Sequence, residues 1–508
     1  MDKFLVCVVS LALVVVAIPC EGTSLRTSIF VSDTHFGIGK VSDKWHPYED
    51  ARWAPEFRKF LQAMDELAHG SGDLILNGDT FELWQSAKDD CVYSNRDEGC
   101  TTDEALARVR IVLAAHKQEI EAIHDFAVSH DNRVYLIPGN HDVALLFPKV
   151  AAEVLSAIGA PADRVRIVST GYWLSDDHLI YAEHGQQIGA DVNKFKGWPQ
   201  PFITEHGAQW LVRPWGEQFV QSFYNQFEMK YPIIDNLASE TLGVKYGFAA
   251  EGVPETLKDF GLFVRFYLTQ QSLLQLKQVL GEGRGVGWDI DRLRAGGNKF
   301  FYESIPDNDP LRAATRKAVD EGTLGLSVAN FSDDEIKGIC AIRSAEFARE
   351  GEPHHIAECP KKDFGAVIQG LVRSRESIFM EHLNGTANRL AKAGFGSGEF
   401  ELYVFSHTHL AEAGYAPFQH SPSQWQPLVM NTGAWQRTID EGDLNALINR
   451  RHLGAKDVLA LQPEDLPPCY SFIVVAPYGD KEKPRGQVQY WTLTETTWSA
   501  KSRCEWAP

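Results

Sequence analysis

Short apolar runs recur through the first third of the chain. SIFVS (28–32), DLILN (73–77), RVYLIP (133–138) and HLIYAE (178–183) are compact and rich in Ile, Leu, Val, Phe and Tyr, and each is predicted to form a buried strand. Between the first two, Phe57, Phe60, Leu61, Met64 and Leu67 fall at three- and four-residue intervals, which predicts an amphipathic helix over 55–69. Thr101 with Glu104 has the form of a capping box and opens a predicted long helix reaching about residue 129. His116, His124 and His130 fall along that helix and read as structural residues. Strand–helix–strand alternation of this kind implies an α/β layer architecture.

The pattern changes over 192–398, where helical spacing dominates and no strand is predicted. Trp198, Trp210, Trp215, Phe219, Phe223 and Phe227 crowd its start, the last four at four-residue steps. A core-facing helix stripe is the first reading of these aromatics, and a wall over a substrate cleft is the second. FGLFVRFYL (260–268) reads first as a buried helix and second as a lipid- or membrane-facing surface. Strands resume at ELYVFS (401–406), PLVMN (427–431), YSFIVVAP (470–477) and QVQYWTL (487–493). The expected organisation is therefore an N-terminal segment 1–22, a core in two parts (23–191 and 399–508), and a mainly helical insertion 192–398 between them. A surface loop tolerates a long insertion at modest entropic cost.

The predicted strands end alike. SIFVS runs into Asp33-Thr34-His35, DLILN into Gly78-Asp79-Thr80-Phe81-Glu82, and RVYLIP into Gly139-Asn140-His141-Asp142. HLIYAE runs into His184-Gly185, and ELYVFS into His407-Thr408-His409. Ligands of α/β sheets bind at the carboxyl ends of strands. A single His after a strand is more often a hydrogen-bonded structural residue than a ligand, but the ordered series is hard to obtain by chance. Carboxylate, amide oxygen and imidazole together suit Mn, Fe, Zn or Ni. Two such ions can clamp a phosphoryl group and activate a water.

The set DTH, GDTFE, GNHD, HG and HTH, followed by NTGAW (431–435), resembles the calcineurin-like metallophosphoesterase superfamily over roughly 27–190 and 398–495. The resemblance implies an α/β fold, a layered β-sandwich flanked by helices, here interrupted by the large helical insertion. It also implies two divalent or transition metal ions. Asp33, His35 and His409 then look like ligands of the first and Asn140, His184 and His407 of the second, with Asp79 bridging. His141 resembles the family's non-ligand catalytic histidine, with Asp142 orienting it and Glu82 behind the ligands. One departure is Ser406, where the family usually has Gly, and its side chain is expected to narrow the site. GDTFELW is also similar to the matching stretch of UDP-2,3-diacylglucosamine hydrolases. That branch typically carries Arg where His141 stands, is cytoplasmic and has a much smaller insertion.

Charge narrows the partners. A net charge of -19 repels nucleic acid and anionic membranes at long range, leaving a small phosphorylated substrate as the expected partner. Lipid or membrane-surface contact through the insertion is the remaining alternative, with a non-catalytic lipid-binding protein as its extreme form. The oligomeric state is not readable. Lys3 followed by an apolar run from Phe4 to Ile18 reads as a signal peptide cleaved after Gly22, which predicts a secreted or periplasmic protein. An uncleaved membrane anchor is the alternative. Beyond it lie Cys91, Cys100, Cys340, Cys359, Cys469 and Cys504, an even number that suggests disulfides. Proximity in sequence favours 91–100, 340–359 and 469–504.

Overall fold

The computed structural model describes residues 26–85, 91, 98–188, 193–205, 207–214, 216–217, 220–221, 225–229, 231–236, 375–409, 411–412, 425, 427–439, 441–454, 457–458, 460–479, 482–494, 496–504 and 506. Two mixed sheets carry the fold. The larger has seven strands in the order Thr497–Lys501, Gly486–Thr494, Cys469–Val475, Thr27–Val31, Gly72–Asn77, Arg133–Ile137 and Val165–Ile167. Its last four strands run parallel, and Cys469–Val475 joins them antiparallel. The smaller sheet has five strands in the order Ala411–Glu412, Leu428–Thr432, Leu402–Phe405, Ile180–Glu183 and Tyr172–Leu174.

Period-two alternation explains the layering. In Thr27–Val31, Phe30 faces the second sheet, packing with Ile75, Ile137, Ile180, Val404 and Met430. Its neighbours Ile29 and Val31 face the opposite way, toward Phe57, Phe60 and Met64 of the helix Ala54–Leu67. On the far face of the smaller sheet, Tyr181, Tyr403 and Phe405 pack against Leu383 and Leu390 of the helix Arg375–Lys392. The result is helix, sheet, sheet, helix, with both sheets buried on both faces. That is why the strands read as apolar runs rather than as alternating ones.

The long helix expected from 101 is in fact two helices, Thr102–Ala115 and Lys117–Val128, opened by the Thr101–Glu104 capping box. The break falls at His116, which leaves helical geometry (φ -105°, ψ 33°) to place its ring between two acids. Its Nε2 lies 3.1 Å from Glu49 and its Nδ1 3.3 Å from Glu119. His124 bonds the carbonyl of Ile158, whereas His130 sits past the helix end in a left-handed turn. Burial opposes charge on His116, but Glu49 and Glu119 outweigh it and raise its pKa to about 10. The unfolded value is near 6.5, so this contribution to stability is whole below that pH and is lost as pH rises through about 10. Urea unfolding of the wild type should therefore show a falling midpoint over that window. His116→Ala should flatten the dependence and cost about 3–5 kcal/mol near neutral pH, because Glu49 is left buried without its cation. A wild-type midpoint that is level from pH 6 to 10 would remove the charged pair.

The stretch 192–398 also departs from expectation, because it opens with a hairpin. Phe202–Glu205 pairs with Ala208–Val212 through a turn at Gly207, whose φ is +79°. The hairpin then adds to Glu98–Thr101 as a three-stranded sheet, and Leu211 enters the main core. Trp210, counted among the aromatics of a helical region, lies on this strand. The Cys91–Cys100 disulfide closes the loop beside it, and Cys469–Cys504 ties the two ends of the C-terminal meander. Cys340 and Cys359, the N-terminal apolar run, the side chains of the 215–227 aromatic stripe and the 260–268 stretch lie outside the described residues. Among the described residues no helix is long and apolar enough to cross a membrane.

Candidate metal centre

The carboxyl ends of the parallel strands of both sheets converge, and the loops beyond them supply the polar side chains. Two loops are laced together by their backbones. The amides of Asp33, His35 and Phe36 donate to the carbonyls of Gly78, Asp79 and Thr80, and Glu82 donates back to Phe36. Backbone geometry here and in the loop after Leu402–Phe405 is unusual. Asp33, His35, Asp79, His407 and His409 all take left-handed φ values, between 45° and 73°. Non-glycine residues enter that region only when their surroundings over-determine them, and such residues cluster at functional sites.

Two groups of donors unite the ligand residues read from the sequence, and a further one, His35 with Glu82 and His141, shares His35. Asp33, His35 and His409 bring one ligand atom each within 4.8 Å of the others, and Asp79, His184 and His407 do the same. In the first group, His409 Nε2 lies 3.3 Å from Asp33 Oδ1. Asp33 Oδ1 and His35 Nε2 are buried and have no hydrogen-bond partner. In the second, His184 Nδ1 is 3.0 Å from the carbonyl of Asn77 and so carries the proton. Its Nε2 faces Asp79 Oδ2 at 2.9 Å and Asn140 Oδ1 at 3.1 Å. A carboxylate oxygen, an imidazole nitrogen and an amide oxygen that converge in a buried space are the donor set of a cation, and this mixture suits a borderline transition metal. The residues present therefore fit two such ions, one at each group.

Electrostatics agree with this arrangement. Burial resists ionisation of Asp79 and Asp33, yet the histidines around them hold both carboxyls below the usual range. His184 is raised to about 9 by Asp79 and Asp33 against the cost of burial. His407, whose ring centroid is 5.1 Å away, is pushed down to about 3 by burial and by the charge on His184. A bound cation takes these same lone pairs and displaces the proton.

His141 lies at the edge of the first group. Its Nδ1 is 2.5 Å from Glu82 Oε2, which also sits 2.9 Å from His35 Nδ1, and the Trp84 ring stacks on it at 4.1 Å. The carboxylate bonded to the His141 ring is therefore Glu82 rather than Asp142. Asp142 is turned the other way, accepting the amides of Gly139, Thr80 and Phe81, so it pins two loops rather than a histidine. Burial beside Asp79 raises its carboxyl to about 7. Ser406 does not narrow the centre either. Its hydroxyl accepts from Asn77 at 2.6 Å and from Thr432 at 2.8 Å, within a strand-end network. Thr432 also bonds Ser32, which donates to Asp33. Gly139 is required by close approach, because a Cβ there would meet Asp79 Oδ1 at 2.2 Å.

Two contributors were invisible in the sequence reading. Trp84 lies inside GDTFELW but received no role. Asn193, from the start of the insertion, brings Nδ2 to 3.1 Å from His407 Nε2 and leaves its Oδ1 buried without a partner. No spacing or motif marked it. Glu82 holds two histidines with one oxygen, which makes it the most exposed test of this geometry. Glu82→Gln should weaken metal retention and turnover together by about 10–100-fold, as loss of a ligand's outer partner usually does. Equal metal content and turnover in the variant would show that His35 and His141 are oriented by something else.

Residues 27–260 match the family model described as calcineurin-like phosphoesterase. No curated protein and no solved structure matches the chain.

Proposed function

Starting from residues 27–260 as a calcineurin-like phosphoesterase region, of a family of metal-dependent phosphoric ester hydrolases, we infer that this chain uses two metal ions to hydrolyse a phosphate mono- or diester. The observation that carries the reading is the pair of buried donor groups, one with unpartnered Asp33 and His35 atoms and one with a histidine nitrogen facing two oxygens. Asp33, His35 and His409 would hold one ion and Asn140, His184 and His407 the other, with Asp79 shared. Such a pair, when bound, supplies Lewis acidity toward phosphoryl oxygens and a water acidic enough to attack phosphorus near neutral pH.

The chain's own groups do the rest. Glu82 and Trp84 fix the ring of His141, and 17% of that side chain stays open to solvent, so a substrate can reach it. Burial opposes its charge, whereas the bond from Nδ1 to Glu82 favours it, which suits the ring to donate a proton to the leaving oxygen. Asn193 stands beside His407, where a substrate oxygen would arrive. Cleavage of a pyrophosphate uses the same groups and differs only in the leaving group. The two disulfides suit an oxidising compartment, in keeping with an exported protein.

The test is reconstitution. Chelated protein reloaded in turn with Mn, Fe, Zn or Ni should retain two equivalents and release phosphate or phenol from aryl phosphate esters. Protein that retains two equivalents yet cleaves no monoester, diester or pyrophosphate in a broad screen would defeat the enzymatic reading.

A further inference from the structure

A third cluster of acids lies apart from the two donor groups. Asp50, Glu228 and Asp235 bring carboxylate oxygens within 4.8 Å of one another. They come from separate places: the loop before Ala54–Leu67, the end of the helical turn Asn225–Glu228, and the turn Ile234–Asn236. Asp50 is 4% exposed and Glu228 is 0% exposed. Among the described residues no Lys, Arg or His forms an ion pair with either. The adjacent Arg52 bonds the carbonyl of Glu49 and the carboxylate of Glu464 and acts on Asp50 through its charge alone, which burial outweighs.

Uncompensated buried carboxylates are costly and must take up either protons or a cation. Asp50 Oδ1 and Glu228 Oε1 are buried with no hydrogen-bond partner. A neutral side chain points to the cation. Gln436, 1% exposed, reaches the cluster from the loop after Leu428–Thr432, with Nε2 at 3.5 Å from Asp50 Oδ2. Its Oε1 is also buried and unpartnered, an amide oxygen takes up no proton near neutral pH, and turning the amide over would present that oxygen to the cluster in place of Nε2. Gln85 donates to the other oxygen of Glu228, which leaves Oε1 facing no donor. Burial, with Asp235 alongside, holds both Asp50 and Glu228 well above the usual carboxylate range in the absence of an ion.

We propose that Asp50, Glu228, Asp235 and Gln436 form a binding site for one calcium ion, which ties residues 225–236 to the core beside the metal centre. The donors are all oxygen, with neither imidazole nor thiolate, which selects a hard cation. Several protein oxygens meeting in a buried space suit calcium, since magnesium dehydrates reluctantly and keeps its waters. The site is independent of the hydrolytic reading, because none of its residues belongs to either donor group of the metal centre. It is nevertheless close enough for Asp235 to act on His141 and His409 through its charge.

The experiment is equilibrium dialysis of the chelated full chain against radioactive calcium, with melting temperature as a second readout. Wild type and Asp79→Asn should each bind one calcium ion and melt higher in its presence, since Asp79 lies outside the site. Asp50→Asn should lose both effects. Gln436→Leu keeps all three carboxylates and should bind at least about tenfold more weakly, so it decides the matter if Asp50→Asn fails to fold. Absence of calcium binding in Asp79→Asn would overturn the site. So would unchanged affinity in Gln436→Leu, or an Asp50→Asn protein that melts higher than wild type with and without calcium, the signature of neutral acids.

Discussion

Asp79→Asn should reduce bound metal from two equivalents to fewer than one and lower turnover of an aryl phosphate by more than about 100-fold, beyond the loss typical of an outer-shell change. The reason is charge. Only Asp33 and Asp79 bring formal negative charge to the proposed ligand set; the others are imidazoles and an amide. Asp79 is 2% exposed, with Oδ1 accepting the amide of His141 at 2.8 Å and Oδ2 lying 2.9 Å from His184 Nε2. Asparagine has the same shape but halves the anionic charge between the two donor groups, and its amide nitrogen must face either a donor or a ligand. The close approach of Gly139 leaves the side chain no room to move aside. Emission spectroscopy for metal content and a steady-state assay check both halves. Full activity with two ions retained would mean that Asp79 does not bridge.

Much of this was readable from residue order because buried parallel strands produce apolar runs, and their ends mark where ligands gather. Thr27–Val31, Gly72–Asn77 and Leu402–Phe405 fall within a residue or so of the predicted spans. What was not legible depends on contacts between distant segments. Adjacency in the chain suggested that Asp142 serves His141, yet three amides from two loops capture that carboxylate. The break at His116 carries no Gly or Pro, since it is bought by ion pairs with Glu49 and Glu119. The hairpin Phe202–Val212 is short and aromatic, and its Trp210 was absorbed into a helical pattern. Asn193, Glu228 and Asp235 lie in a region read as a helical insertion, and only folding brings them beside His407 and Asp50. The left-handed backbones of Asp33, His35, Asp79, His407 and His409 are likewise features of the folded loops, and residue type alone would not predict them.

His141→Ala should leave both metal equivalents in place while turnover falls by about 10²–10⁴-fold, the usual contribution of a positioned acid or base. Metal should survive because the ring's Nδ1 is engaged by Glu82 and the residue stands outside both proposed ligand groups. The size of the loss should depend on the leaving group. A nitrophenolate departs readily without a proton, whereas an alkoxide does not, so the penalty should be larger for an alkyl ester. Trp84→Ala separates contact from positioning. Loss of the stacked ring should lower turnover less than loss of the imidazole and leave metal content unchanged, because Glu82 still holds Nδ1. A His141→Ala protein that loses metal along with activity would make His141 a ligand. A penalty equal for nitrophenyl and alkyl esters would assign His141 to charge stabilisation rather than proton donation. Either result would still leave the Asp79 prediction standing, because one substitution removes charge between the donor groups and the other removes an acid at their edge.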